Sequence, residues 1–95
     1  MATELQFEWD SNKAIKNVER HRISFEEAAT VFDDPMFITL IDEEHSVDED
    51  RYITIGLSCH GRLLMLAHTD REGRMRIISA RKATQKEEQF YAEAE

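Results

Sequence analysis

At Pro35, the only proline in the chain, the hydrophobic period changes. Ahead of it, apolar residues recur at the three- and four-residue spacing of a helix face; beyond it, they alternate or run in the short blocks that suit a pleated surface. A chain of 95 residues that switches period once has room for a single modest core, with helices before the switch and strands after it. One domain over residues 1–95 is therefore expected, and no Pro/Gly/Ser linker, repeat or low-complexity tract argues otherwise.

After the strand-like "LQFEW", Asp10 or Ser11 can cap a short helix on which Ala14, Ile15 and Val18 share the spacing of one face, fading near His21. Ser24 with Glu27 three residues on forms a capping box for a second helix, whose stripe is Ala28, Ala29, Val31 and Phe32. Pro35 ends it by disfavouring helical geometry at Asp34. Past Pro35, "MFITLI", "RYITIGLS", "LLMLAHT" and "RMRIISA" are strand-like and separated by short polar connections. The simplest topology is an antiparallel meander with "LLMLA", apolar on both faces, at its centre. Thr84 with Glu87 opens a C-terminal helix carrying Phe90 and Tyr91. The expected fold class is α+β: two N-terminal helices, a four-stranded antiparallel sheet and a C-terminal helix.

Charge narrows the function. A formal net charge of −8 argues against a general nucleic-acid binder, because such binding normally draws most of its affinity from the neutralisation of phosphate. The distribution is uneven, however: residues 1–50 carry 4 Lys and Arg against 14 Asp and Glu, whereas residues 51–86 carry 8 against 2. A basic site on an acidic scaffold has that pattern, as do solvated faces that merely segregate. Cys59 stands alone, which excludes an internal disulfide and a cysteine-type zinc site. No apolar run is long enough to span a bilayer, and Met1 to Asp10 lacks the basic and apolar regions of a secretion signal, so a cytoplasmic protein is expected.

The crowded acids of "DEEHSVDED" invite a metal reading that fails its specific tests. The loop lacks the glycine of an EF-hand, and no His-Glu-x-x-His helix exists, so a solvated acidic loop is expected and neither metal nor other cofactor. In "RMRIISAR", strict alternation sends Met75, Ile77, Ser79 and Arg81 one way and Arg74, Arg76, Ile78 and Ala80 the other, so arginines leave both faces. Arg74 can serve simply to blunt a sheet edge, while Arg76 and Arg81 sit where a rigid guanidinium fork can meet phosphate.

Four stretches in this order and spacing, "FEWDSNKAIKNVERHRISFEEAATVFDDP", "DEEHSVDEDRYITIGLS", "GRLLMLAHT" and "RIISARKATQKEEQFY", resemble the BrnT-like toxins of bacterial type II toxin–antitoxin systems. The resemblance covers nearly the whole chain and implies a fold similar to that of the RelE ribonucleases. It also implies a metal-independent endoribonuclease that cleaves RNA and arrests translation. The implied partner is a BrnA-like antitoxin, itself a ribbon-helix-helix DNA-binding protein, in a toxin–antitoxin heterotetramer. DNA would be touched only through that antitoxin, and no membrane is involved.

Cleaving RNA without a metal requires the 2′-hydroxyl to lose a proton, the pentacoordinate phosphate to be stabilised and the leaving 5′-oxygen to be covered. His68, at the end of "AHT", is a candidate if it faces solvent at the sheet rim; a structural histidine is the competing reading. Arg51, Arg76 and Arg81 complete the expected catalytic set as sources of positive charge. Lys13 and His21, eight apart on the first helix, and Arg62 and Arg71, on turns, are expected RNA-binding residues, with a solvated surface role as the alternative for each. Trp9 can stack on a base but reads better as core. A catalytically silent module of the same fold that grips an antitoxin-like partner, and a metal-binding regulator using the acidic loop, are the competing functional classes.

Overall fold

A computed structural model describes residues 5–94. The expectation about a secretion signal falls in part on residues 1–4, and the expected single domain includes these and residue 95; those positions lie outside the described residues. The elements run β1 (Phe7–Glu8), α1 (Ser11–His21), α2 (Phe25–Ala29), a 3₁₀ turn (Thr30–Asp33), β2 (Ile38–Ile41), a second 3₁₀ turn (Glu43–His45), β3 (Arg51–Leu57), β4 (Leu63–Arg71), β5 (Arg74–Lys82) and α3 (Gln85–Glu93).

The expected RelE-like architecture of two helices, a four-stranded antiparallel sheet and a closing helix is thereby corrected. The sheet has five strands in the order β1-β5-β4-β3-β2, and it is mixed, because β1 pairs with β5 in parallel. "LQFEW" contributes only Phe7 and Glu8 to that pairing, opposite Met75 and Arg76. So short a strand has no period of its own; its partner lies at the far end of the chain and is visible only once the fold has closed. A strand therefore precedes the helices.

The helix ends follow local chemistry. Asp10 accepts a hydrogen bond from the Lys13 amide at the start of α1, and Arg22 closes it in the left-handed region with φ 61. Ser24 accepts from the Glu27 amide, but only half of the expected capping box forms, because the Glu27 carboxylate is turned inward to Ser58 and Arg62. The helix then tightens into the 3₁₀ turn at Thr30, whose hydroxyl donates to the Glu27 carbonyl at 2.6 Å. At α3 the box is complete, with Thr84 and Glu87 bonded reciprocally. Glu72 and Gly73, both at positive φ, form the two-residue turn from β4 to β5, a geometry whose twist matches an antiparallel hairpin.

The core lies between the helices and one face of the sheet, with Ile23, Phe25, Val31, Leu64, Leu66 and Ile77 fully or almost fully buried. Burying a side chain such as Leu66 is worth about 1.5–3 kcal/mol. Trp9 packs edge-on against Phe25 with ring centroids 5.9 Å apart, which makes it a core residue. Phe32, on the 3₁₀ turn rather than on a helix, touches the rings of Phe7, Phe37 and His68. Gly56 is required where β3 passes under that turn: a Cβ there would lie 2.7 Å from Val31 Cγ1. Among the described residues no helix is long and apolar enough to cross a membrane.

Candidate nucleic-acid interface

One irregularity in β5 decides where its arginines point. Ala67 pairs with Ser79 but His68 pairs with Ile77, so Ile78 is an extra residue and the alternation shifts by one. Ile77 and Ala80, three apart, are consequently both buried on the core face. Arg74, Arg76, Ser79 and Arg81 all fall on the outer face, which corrects the expectation that arginines leave both. Arg51 joins them: Thr69 of β4 pairs with Arg51 on one side and Arg76 on the other, placing both arginines in one row two strand spacings, roughly 10 Å, apart.

Most of these cations are held by carboxylates. Arg76 donates to Glu8 Oε2 at 2.8 Å, from the neighbouring strand β1. Arg81 makes a bidentate pair with Glu87 of α3, at 2.8 and 3.0 Å, and this pairing holds the Glu87 carboxyl below its ordinary pKa. Arg71 reaches Glu49 at 3.6 Å, and it shares a cavity of about 580 Å³ with Arg51 beside the acidic loop. The Arg51 side chain has no hydrogen bond or ion pair among the described residues. In the same loop Asp42, Glu44 and His45 bring donor atoms within 4.8 Å of one another, an exposed grouping common in proteins that hold no ion.

Helix α1 supplies a second basic surface. Of the apolar face expected for this helix only Ala14 packs against the core, while Ile15 is 60% exposed and Val18 41%. The residues turned inward are Ala14, Asn17 and His21, and exposed Lys13, Lys16 and Arg20 run beside them at the spacing of one helix face. Asn17, buried, fixes the contact by donating to the Ile23 and Ala80 carbonyls at 2.9 Å each and accepting from the Ala80 amide at 3.1 Å. Its amide thus takes the place of a neighbouring strand along β5 beyond the end of β1. Between α1 and β5 runs a groove of about 180 Å³ lined by Lys13, Lys16, Arg20, His21 and Ser79. None of the three charged side chains is paired among the described residues.

The expected site residues thus divide. Lys13 and His21 share the groove, and Arg76 and Arg81 flank Ser79 on the adjoining strand face. Arg62 lies elsewhere, donating to buried Glu27 at 2.9 Å and to the Arg22 carbonyl at 3.3 Å; this guanidinium holds the Glu27 carboxyl below its ordinary pKa. His68 is not at the rim. It is 2% exposed on the core face, stacked on Tyr52 and edge-on to Phe32, with Nε2 2.7 Å from the Thr54 hydroxyl. Burial pushes its pKa down to about 4, against a small opposing pull from Asp70. The chain reverses beyond it only after Arg71, so the strand runs three residues past the point where solvent was expected.

Lys16, Arg20 and Ser79 were missed. The lysine and arginine were legible as part of the polar stripe; Ser79 was not, because the bulge that turns it outward leaves no local mark.

A model of the family described as "Ribonuclease toxin, BrnT, of type II toxin-antitoxin system" matches residues 9–87. Among solved structures, the crystal structure of the Brucella abortus ribonuclease toxin BrnT is similar at 18% sequence identity, with a TM-score of 0.62, covering 86% of this chain and 100% of that one. At that identity the likeness speaks for the fold alone. No curated protein matches the chain.

Proposed function

Because the chain belongs to the BrnT family of ribonuclease toxins of type II toxin–antitoxin systems, we propose that it is an endoribonuclease whose substrate backbone lies in the groove between α1 and β5. The observation that carries this reading is the convergence of Lys13, Lys16, Arg20 and His21 on one groove, uncompensated by acids, in a chain that is otherwise strongly acidic. Unpaired cations in a concave site attract phosphate and draw a polyanion out of solution despite an unfavourable net charge.

In the proposed reaction His21 takes the proton of a 2′-hydroxyl, whose oxygen attacks the adjacent phosphorus. The bond to the 5′-oxygen breaks, leaving a 2′,3′-cyclic phosphate, and Lys13 protonates the departing oxygen. Arg76 and Arg81, on the strand face beside the groove, stabilise charge on the phosphoryl oxygens, and Arg51, two strands away beside the acidic loop, meets a neighbouring phosphate of the same RNA. No metal ion takes part in these steps. The burial of His68 speaks against contact with RNA, so the acid–base role passes to His21.

The partner is an antitoxin, as the family implies, and we take it to be a basic protein of the ribbon-helix-helix, BrnA-like kind, with DNA engaged only through it. A catalytically silent binding module is the second reading, favoured by the neutralisation of Arg76 by Glu8 and of Arg81 by Glu87. Cleavage of a defined RNA by the purified chain in the presence of a chelator separates the two. Cleavage should persist, and fall about a hundredfold or more in His21→Ala. An inert wild-type chain, or one that needs added metal, would remove the reading.

A further inference from the structure

From Pro35 to Ile41 the chain carries no charge, and Met36, Phe37, Leu40 and Ile41 are large, apolar and exposed, Ile41 to 62%. This run includes β2, the edge strand next to β3. The Asp42 amide donates to the Arg51 carbonyl at 2.8 Å, which sets the phase of the ladder: Leu40 and Ile38 bond inward, and the amides and carbonyls of Thr39 and Ile41 point away from the sheet. Exposed edges are usually blunted by charge, bulges or covering elements, because bare backbone recruits another strand. β2 is short, at four residues, but among the described residues it carries no charge, bulge or covering element.

Charge decides what covers it. Asp33 and Asp34 precede the bare run, and Asp42, Glu43 and Glu44 follow it. A second copy paired antiparallel across a two-fold axis would set the acids after one strand against the acids before the other, a like-charge contact at both ends. A strand flanked by lysines or arginines meets opposite charge at both ends instead. On the outer face, moreover, Leu40 borders a groove of about 490 Å³ with Ile53, Ile55 and Phe90 as its apolar floor. Apolar side chains at alternate positions of an added strand reach towards that floor.

We propose that β2 is the docking edge for the antitoxin, which adds one β-strand of alternating apolar residues with basic residues at its ends. This inference rests on the toxin reading above. It concerns an edge away from β5 and the groove, and so leaves the RNA site uncovered by the strand itself.

The test uses the full chain and, as probe, the protein encoded by the adjacent reading frame. Hydrogen exchange of the complex should protect the Thr39 and Ile41 amides, which exchange freely in the chain alone. Ile41→Pro removes an outward donor and leaves the inner ladder intact, and should weaken the complex at least tenfold. If that variant folds poorly, Glu43→Lys with Glu44→Lys, in an exposed turn, should weaken the complex and reverse its salt dependence while thermal stability is kept. A complex that leaves both amides unprotected overturns the inference, as does a free chain that dimerises with those amides protected. A chain that cleaves RNA yet binds no neighbour overturns this inference alone. One that docks its neighbour on β2 yet cleaves nothing sinks only the ribonuclease reading.

Discussion

Arg81 and Glu87 face each other from the end of β5 and the first turn of α3, joined by two parallel hydrogen bonds of 2.8 and 3.0 Å. The same carboxylate also accepts from the Thr84 amide, so one side chain both caps the helix and neutralises the arginine. Phosphate that approaches Arg81 has to compete with Glu87. Glu87→Gln should therefore raise RNA affinity while lowering stability by about 1 kcal/mol, from the weakened cap and a half-exposed ion pair. Arg81→Ala should slow cleavage roughly a hundred- to a thousandfold, with a smaller effect on binding. Parallel measurement of melting, binding and cleavage checks both; equal losses in binding and cleavage for Arg81→Ala would make it an ordinary anchor.

Lys13, Lys16 and Arg20 each should contribute about one unit to the slope of log affinity against log salt if they contact RNA phosphates. Replacing any one by alanine should weaken binding to unrelated RNA sequences alike. Titrations at several salt concentrations make the comparison, and an unchanged slope for Lys16→Ala would take that residue out of the interface.

His68 makes stability depend on pH. Its folded pKa is lowered from 6.5 to about 4, so between those values the unfolded chain takes up a proton that the folded chain refuses. Stability is then complete above pH 6.5 and falls as pH drops towards 4, by up to the order of 3 kcal/mol. Urea unfolding between about pH 7.5 and 4.5 should show the decline, and His68→Phe, which keeps a ring against Tyr52 and Phe32, should flatten it. Equal slopes in the two proteins would place the proton elsewhere.

Arg62 tests whether a basic residue near a turn serves RNA or the fold. Its partner Glu27 is buried, and removing the guanidinium leaves that carboxylate without its charged donor. Arg62→Ala should lower the melting temperature, because buried Glu27 loses its charged donor, whereas the folded chain should bind RNA as the wild type does. A stable Arg62→Ala chain with weakened RNA binding would restore the interface role.

Asn17→Ala strips the Ala80 amide and carbonyl of their partner at a buried position. Each unsatisfied group costs about 1–3 kcal/mol, and Asn17→Asp, whose buried carboxylate would face the Ile23 and Ala80 carbonyls, should recover none of the loss at neutral pH. Denaturant melts of the two variants decide it; a neutral Asn17→Ala would mean that α1 is not fastened here.

Legibility followed the range of the interactions concerned. Local signals held: Pro35 marks the change of period, and Thr84 with Glu87 opens α3 with its full capping box. What failed was set by distant contacts. The pairing of Phe7 with Met75 joins opposite ends of the chain, and the extra residue Ile78 is defined only by the register against β4. In the sequence His68 has the look of a rim residue because Phe32 and Tyr52, which enclose it, come from other elements. On α1, the apolar spacing of Ala14, Ile15 and Val18 draws the eye, whereas only Ala14 of the three packs inward, beside the buried Asn17.

The side-chain amide of Asn17 and the two residues of β1 close the β5 side of the sheet, which leaves the four-residue β2 as the open edge among the described residues. Such a molecule is directional in a way that a sheet with two open edges is not: it can accept one strand and then has nothing comparable to offer a next. Assemblies built through its backbone should therefore stop at a fixed stoichiometry instead of growing into fibres. That termination is a property of one asparagine as much as of the sheet.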